Sequence, residues 1–135
     1  MILVGERINT GFKSIKQAVI DRDPMPLEKK AREQTEAGAD YLDVNLGAVS
    51  TKPEDMCWMI ETVQGAVDTP VCIDTNKPAI LKEAVKLCNK PPLINSTTAA
   101  KEKLLTSLPG LANPFRNPVP KNRSSDAGLP SVTSF

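Results

Sequence analysis

The sequence predicts an α/β fold in which about four parallel strands alternate with helices. Four short apolar runs each lead into polar residues, and three of these runs begin near residues 41, 70 and 92, a step typical of β/α units. Segments with the apolar spacing of helices lie between the runs. Because parallel strands in such folds point their carboxyl ends at one face, the polar residues are expected to meet there.

The four strands are predicted from the apolar runs, and each run has a polar tip. In chain order they are Ile2-Leu3-Val4 before Glu6, Arg7 and Asn9; Tyr41-Leu42 before Asp43 and Asn45; Val71-Cys72-Ile73 before Asp74, Thr75 and Asn76; and Leu93-Ile94 before Asn95, Ser96 and Thr97. Core packing requires apolar side chains at the strand centres but does not require carboxylates and carboxamides at the tips. The pattern therefore indicates a binding site at one rim.

Helices are predicted in the connections between the strands. In chain order they are a short helix from Ser14 to Asp21, a main helix from Leu27 to Ala37, and helices that begin at Pro53, at Pro78 and at Lys101. Proline is tolerated in the first turn of a helix, which supports the two proline starts. Asp23-Pro24 and Pro26 are expected to break the first connection, and Gly38 suits a helix C-cap.

The length of 135 residues allows one domain with a core but not a closed barrel, which needs about 250 residues. The predicted fold is therefore the N-terminal half of a TIM (β/α)8 barrel, about four β/α units, with an irregular C-terminal tail. The predicted boundary lies at residue 105, because residues 106–135 contain five prolines and five serines and no sustained apolar period.

Two interpretations of the segment 106–135 are open. It is either a disordered extension of a natural short protein or the product of a reading frame lost near Leu105. The second is favoured, because the helix that starts at Lys101 runs abruptly into Pro109-Gly110 and patternless sequence.

Composition excludes several function classes. A net charge of +1 and an aromatic content of 4% argue against a nucleic-acid partner. No basic leader followed by an apolar stretch and no run of about 20 apolar residues is present, so no membrane association and a cytoplasmic location are expected. The chain has no histidine, which removes the most common general base. Cys57, Cys72 and Cys88 are expected to be buried free thiols, and no resident metal is expected.

Four tip residues are the candidates for the site. A carboxylate at Asp74 can accept two N–H bonds from the amidine-like edge of a heterocycle, although it could instead cap the next helix, as could Thr75 or Asn76. Asn95 offers an acceptor and two donors, or it satisfies a local turn.

Asp43 and Asn45 are separated by one residue, so they lie on one side of their strand. They either touch a ligand or hold the rim together, and two such oxygens are only weak evidence for Mg²⁺. Arg7 could pair with Glu6, with Asp43 or with a ligand carboxylate.

The chain resembles the pterin-binding methyltransferase family over roughly residues 1–105. The motifs that carry the resemblance are Gly5-Glu6-Arg7-Ile8-Asn9, Asp43-Val44-Asn45-Leu46-Gly47, Cys72-Ile73-Asp74-Thr75 and Ile94-Asn95-Ser96-Thr97. Within the family, the chain is most similar to the methyltetrahydrofolate:corrinoid/iron–sulfur protein methyltransferases of the acetyl-CoA pathway. The pterin domain of cobalamin-dependent methionine synthase and dihydropteroate synthase are more distant.

The resemblance implies that methyltetrahydrofolate binds across the barrel rim and gives its N5-methyl group to the Co(I) of a corrinoid (cobalamin) on a partner protein, such as a corrinoid iron–sulfur protein. It implies that Asp74 and Asn95 hydrogen-bond the pterin and that Asp43 and Asn45 belong to the same site. In the family, later strands add a further Asp and an Asn near N5. The chain is therefore expected to be truncated, with weak activity or none, and its N5-activating residue is unknown.

Two other functions are compatible with the residues. One is a non-catalytic half-barrel module that binds a pterin or assembles with a second half, including a homodimer that closes a pseudo-barrel. The other, ranked lower, is a condensation of the dihydropteroate synthase type. That chemistry needs a site for a pyrophosphate leaving group, and no phosphate-binding glycine loop is present.

Overall fold

The computed structural model describes residues 1–95, which form a parallel sheet and its connecting helices. The strands are β1 Val4–Asn9, β2 Tyr41–Asn45, β3 Val71–Asp74 and β4 Leu93–Asn95. They pair in the order β1-β2-β3-β4, and every pair is parallel. Because each strand lies beside the strand that precedes it in sequence, the sheet has the strand order of a β/α barrel. The predicted half-barrel fold class is confirmed.

The described helices are α1 Lys13–Asp21, α2 Met25–Glu36, α3 Pro53–Ala66 and α4 Pro78–Leu87. The last two begin at the predicted prolines. Gly38 has a φ of +97° just after α2, as expected for a helix-ending glycine. The prediction that Pro26 interrupts the helical structure before the main helix was wrong. Pro26 lies in the first turn of α2, where its missing N–H has no intrahelical partner to lose.

Strand β1 differs from its prediction. It begins at Val4 and continues through Glu6 and Arg7 to Asn9, whereas the predicted apolar run was Ile2-Leu3-Val4. Gly5 pairs with Leu42, but Ile8 pairs with Val44, so Glu6 and Arg7 together face Asp43 across the sheet. Two residues of β1 thus lie opposite one residue of β2, which defines a β-bulge. The backbone N–H of Arg7 donates to Gln34 Oε1 of α2 at 2.9 Å, which satisfies a group that the bulge removes from the ladder.

The sheet buries apolar side chains on both faces. The face toward the helices holds Leu42, Val44 and Ile73, which pack with α3 and α4 residues such as Met59 and Leu81. The opposite face holds a smaller cluster of Tyr41, Cys72 and Leu93, with Ile2 and Val4 against it. Strands buried on both faces are typical of parallel sheets, and they account for the continuous apolar runs in the sequence.

The cysteine prediction is confirmed in part. All three thiols are free, but only Cys72 is buried, whereas Cys57 and Cys88 are partly exposed beside α3 and α4. None of the helices within residues 1–95 is long and apolar enough to span a membrane.

Several expectations lie outside the described residues. They concern Ser96, Thr97, the helix predicted to begin at Lys101, and the segment 106–135.

Candidate functional site

The carboxyl ends of the four strands carry a row of polar side chains. The register pairs Asn9 with Asn45, Asn45 with Asp74, and Asp74 with Asn95. All four residues are partly exposed. Since neighbouring strands lie about 4.8 Å apart, the row extends roughly 14 Å across the sheet. We call these four residues the rim row.

Asp74 is the carboxylate of the rim row, and it does not cap α4. The hydroxyl of Thr75 accepts the backbone N–H of Lys77 at 3.2 Å and so occupies the turn that leads into the helix. The carboxylate Oδ2 of Asp74 instead accepts a hydrogen bond from Asn95 Nδ2 at 3.3 Å. The sequence left open whether Asp74 caps the helix or takes part in the site. The structure gives the turn to Thr75, and the Asp74 side chain contacts Asn95 in the rim row.

Asn9 and Asn45 each fix their own turn. Asn9 Oδ1 accepts the backbone N–H of Gly11 at 2.7 Å, and Asn45 Oδ1 accepts that of Gly47 at 2.7 Å. These are Asx turns, which use the carboxamide oxygen and leave the Nδ2 group to donate elsewhere. Asn9 was placed at a strand tip by the sequence but was not chosen as a site residue. Its register with Asn45 is the signal that brings it into the row.

Asp43 lies below the rim row, one residue pair deeper in the sheet. It is only 4% exposed, and its register partner on β3 is Cys72. Burial, followed by a hydrogen bond with the Asp74 side chain and the charges of Asp74 and Glu6, raises the pKa of Asp43 to about 8. A hydrogen bond with Cys72 acts in the opposite direction. Asp43 is thus a carboxyl group that stays protonated at neutral pH.

A cavity of about 360 Å³ opens beside the rim row, between the ends of β2 and β3 and the start of α4. Asn45 and Asp74 line it, together with Gly47, Asn76 and Lys77. Its volume lies at the lower end of the range for small-molecule sites. The lining combines an acceptor with amide donors, which suits a flat ligand whose edge alternates donors and acceptors.

The two charged residues of β1 are placed differently. The negative charge of Glu6 contributes to the raised pKa of Asp43, as expected from their positions across the bulge. The Arg7 guanidinium lies over the ring of Phe12, 5.3 Å from its centroid. Within residues 1–95, no three His, Cys, Asp or Glu side chains converge in an arrangement that could hold a metal ion.

Comparison with known proteins identifies the family. Residues 5–110 match the family of pterin binding enzymes. The chain belongs to this family. All four rim-row residues fall inside the matched segment, which also extends five residues beyond the boundary predicted at 105.

The chain is similar to the methylcorrinoid:tetrahydrofolate methyltransferase of Eubacterium limosum. The two are 41% identical over 110 residues, which cover 81% of this chain and 41% of the relative. The chain thus spans less than half of the length of that relative. A transferase family that moves methyl groups to or from folates is supported by this likeness.

Proposed function

We propose that this chain carries half of the pterin site of a methyltransferase that moves a methyl group between N5 of tetrahydrofolate and the cobalt of a corrinoid on a partner protein. The observation that carries the proposal is the rim row, in which four strands of a pterin binding enzyme present one carboxylate and three carboxamides beside a cavity. A cytoplasmic location, a place in the acetyl-CoA pathway and a corrinoid iron–sulfur protein as partner belong to the same proposal.

The donor set of the row fits a pterin edge. Asp74 can accept two N–H bonds from the amidine-like part of the ring, and Asn95 can both donate and accept. Asn45 is held by its turn to Gly47, so its Nδ2 group is oriented before a ligand arrives. Asp43 completes the set from below, through its contact with Asp74.

The direction of transfer follows from which partner brings the methyl group. The name of the Eubacterium limosum relative gives a methylcorrinoid and tetrahydrofolate as its reactants, whereas the sequence motifs suggested methyltetrahydrofolate as the donor. One reversible transfer needs the same pterin contacts in both directions. When the methyl group is transferred away from N5, that nitrogen is the leaving group. It needs a proton or an electrophile so that it leaves as a neutral amine.

We propose further that the 135-residue chain alone is weakly active or inactive. Its four described strands form half of a barrel rim, and they present no general acid to a position above the row. Methyl transfer from methyltetrahydrofolate to cob(I)alamin, followed by the absorbance change of the cobalamin under anaerobic conditions, is expected to stay at the uncatalysed rate. A rate near that of the Eubacterium limosum relative, assayed in parallel, would contradict this expectation.

Pterin binding is tested separately from catalysis. Calorimetric titration with tetrahydrofolate is expected to show binding that Asp74→Asn weakens at least about tenfold, because one charge-assisted acceptor is lost. Asp68→Asn is the matched control, since Asp68 is an exposed carboxylate in the turn after α3. If both variants bind as the unchanged chain does, Asp74 is not part of a pterin site.

A non-catalytic half-barrel module is the second candidate. It is favoured by the strand order, which leaves β1 and β4 at the edges of the described sheet. Such a module would bind a pterin weakly or assemble with a chain that carries further strands. Stable co-purification with a separately expressed C-terminal part of the Eubacterium limosum relative, together with recovered methyl transfer, would favour assembly.

A further inference from the structure

Asp43 occupies a position that ligand contact alone does not explain. Its side chain is buried beneath the rim row, and its Oδ1 atom has no hydrogen-bond partner among residues 1–95. A charged carboxylate in such a place is costly, because burial removes its water and no cation of residues 1–95 forms a salt bridge with it.

The groups that face Asp43 give no compensating positive charge. From β3 these groups are Asp74 and Cys72, and from β1 the group is Glu6. The nearby cation of β1, Arg7, has its guanidinium over the Phe12 ring. Asp43 therefore lies among acids and a thiol, and its neutral form is the one that this environment favours.

Asp43 and Asp74 are diagonal neighbours on one face of the sheet, because Asp43 pairs with Cys72 and Asn45 pairs with Asp74. A hydrogen bond between their side chains requires a proton. Two ionised carboxylates are acceptors only, so a hydrogen bond between them forms only when one of them carries a hydrogen. Asp43 is the more buried partner, whereas Asp74 is partly exposed, lines the cavity and already accepts a bond from Asn95 Nδ2.

We infer that Asp43 is a positioning residue that holds the proton of the Asp43–Asp74 pair and directs an ionised Asp74 toward the ligand cavity. Asp43 and Asn95 then donate to Asp74 from two sides and fix its orientation. The identity of the ligand rests on the proposed function, but the position of the proton does not.

Carbon-detected NMR of the full 135-residue chain tests the proton directly. The Asp43 carboxyl carbon is expected to titrate near pH 8, and in Asp74→Asn its midpoint is expected to fall by at least about one pH unit, because a like charge and a shared proton are removed. A midpoint near pH 4 in the unchanged chain would overturn the inference. So would a midpoint that stays the same in Asp74→Asn, since burial alone would then hold the proton.

Two substitutions at Asp43 separate positioning from packing. Asp43→Asn keeps the size and offers an N–H donor to Asp74, whereas Asp43→Leu keeps the approximate volume and offers none. Tetrahydrofolate affinity near neutral pH is expected to fall by less than about tenfold in the first variant and by more in the second. Amide spectra of both variants report whether the fold is kept, and Asp68→Asn serves as the control. Equal losses in two folded variants would overturn the positioning role.

The pH dependence of tetrahydrofolate affinity tests the proton on Asp43 separately from packing, because a change in packing would not alter this dependence. Affinity of the unchanged chain for tetrahydrofolate is expected to fall by up to about fivefold between pH 8 and pH 9, as Asp43 ionises and repels Asp74, while the Asp43→Asn profile stays flat over that range. Parallel profiles would overturn the inference. If the unchanged chain binds no tetrahydrofolate at any pH, the proposed function is wrong, and the NMR titration alone decides where the proton lies.

Discussion

Asp43 shows how one buried carboxyl group affects the whole protein. Its ordinary pKa of 3.8 applies in the unfolded chain, and burial raises the pKa to about 8 in the folded chain. The folded state therefore binds this proton more tightly than the unfolded state does. The contribution is most favourable below pH 4, and it is lost progressively as pH rises from about 4 to about 8.

The first prediction is a stability profile that depends on this residue. The free energy of unfolding in urea is expected to fall by on the order of a few kcal/mol between about pH 5 and about pH 8 in the unchanged chain. Asp43→Asn removes the titrating group, so its profile is expected to be much flatter. Asp68→Asn, which changes an exposed carboxylate, should keep the slope of the unchanged chain. Parallel profiles for the unchanged chain and Asp43→Asn would show that another group causes the slope.

The turn after β2 is the element that places Asn45. Gly47 has a φ of +60°, and a Cβ at this position would lie 2.6 Å from Thr10 Oγ1. That hydroxyl donates to the carbonyl oxygen of Leu46 at 2.7 Å in a buried site, so it cannot move away without losing the bond. The end of β1 and the end of β2 are thereby tied together at the rim.

The second prediction concerns this turn. Gly47→Ala is expected to destabilise the chain by about 2 kcal/mol, through the left-handed backbone and the clash with Thr10. In a Thr10→Ala background the same change should cost about 1 kcal/mol less, because the clashing hydroxyl is gone. Gly65→Ala is the control, since nothing lies within 4 Å of a Cβ there. Thermal or urea unfolding of the four variants measures the coupling, and additive costs would contradict it.

At the scale of the whole molecule, the sheet formed by residues 1–95 has two edge strands. Strands β1 and β4 lie at the two edges of the described sheet, and the sheet is parallel throughout. In a closed barrel the edges disappear, because the last strand pairs with the first. An open parallel edge presents unpaired N–H and C=O groups that another strand can use.

The third prediction is concentration-dependent self-association of the 135-residue chain. Pairing of edges between two copies would satisfy the unpaired N–H and C=O groups of the edge strands. Sedimentation velocity over a wide range of concentrations is expected to show dimers or larger species that dissociate on dilution. A single monomeric species at every concentration would contradict it and would weaken the half-barrel assembly module.

The elements could be predicted from sequence because their signals are local. Apolar runs specify β2, β3 and β4, and Pro53 and Pro78 specify two helix starts, since strand burial and the first-turn tolerance of proline depend on neighbouring residues only. The start of β1 and the role of Pro26 were missed. The irregular pairing of β1 depends on a distant segment, namely β2. Pro26 follows the same local first-turn rule as Pro53 and Pro78, so its role could have been predicted from the sequence.

The features of the candidate site also divide into those that local sequence predicts and those that tertiary packing decides. The sequence by itself determined that Asn45, Asp74 and Asn95 stand at strand ends, because the apolar runs and the following helix signals depend on consecutive residues. Asp43 was predicted at a strand end as well, but it lies in the middle of β2. Only the tertiary structure decided that Asp43 lies beneath the row and meets Asp74, because the register between two strands and the bulge in β1 are relations between distant segments. Burial, and with it the proton on Asp43, exists only once those segments are packed together.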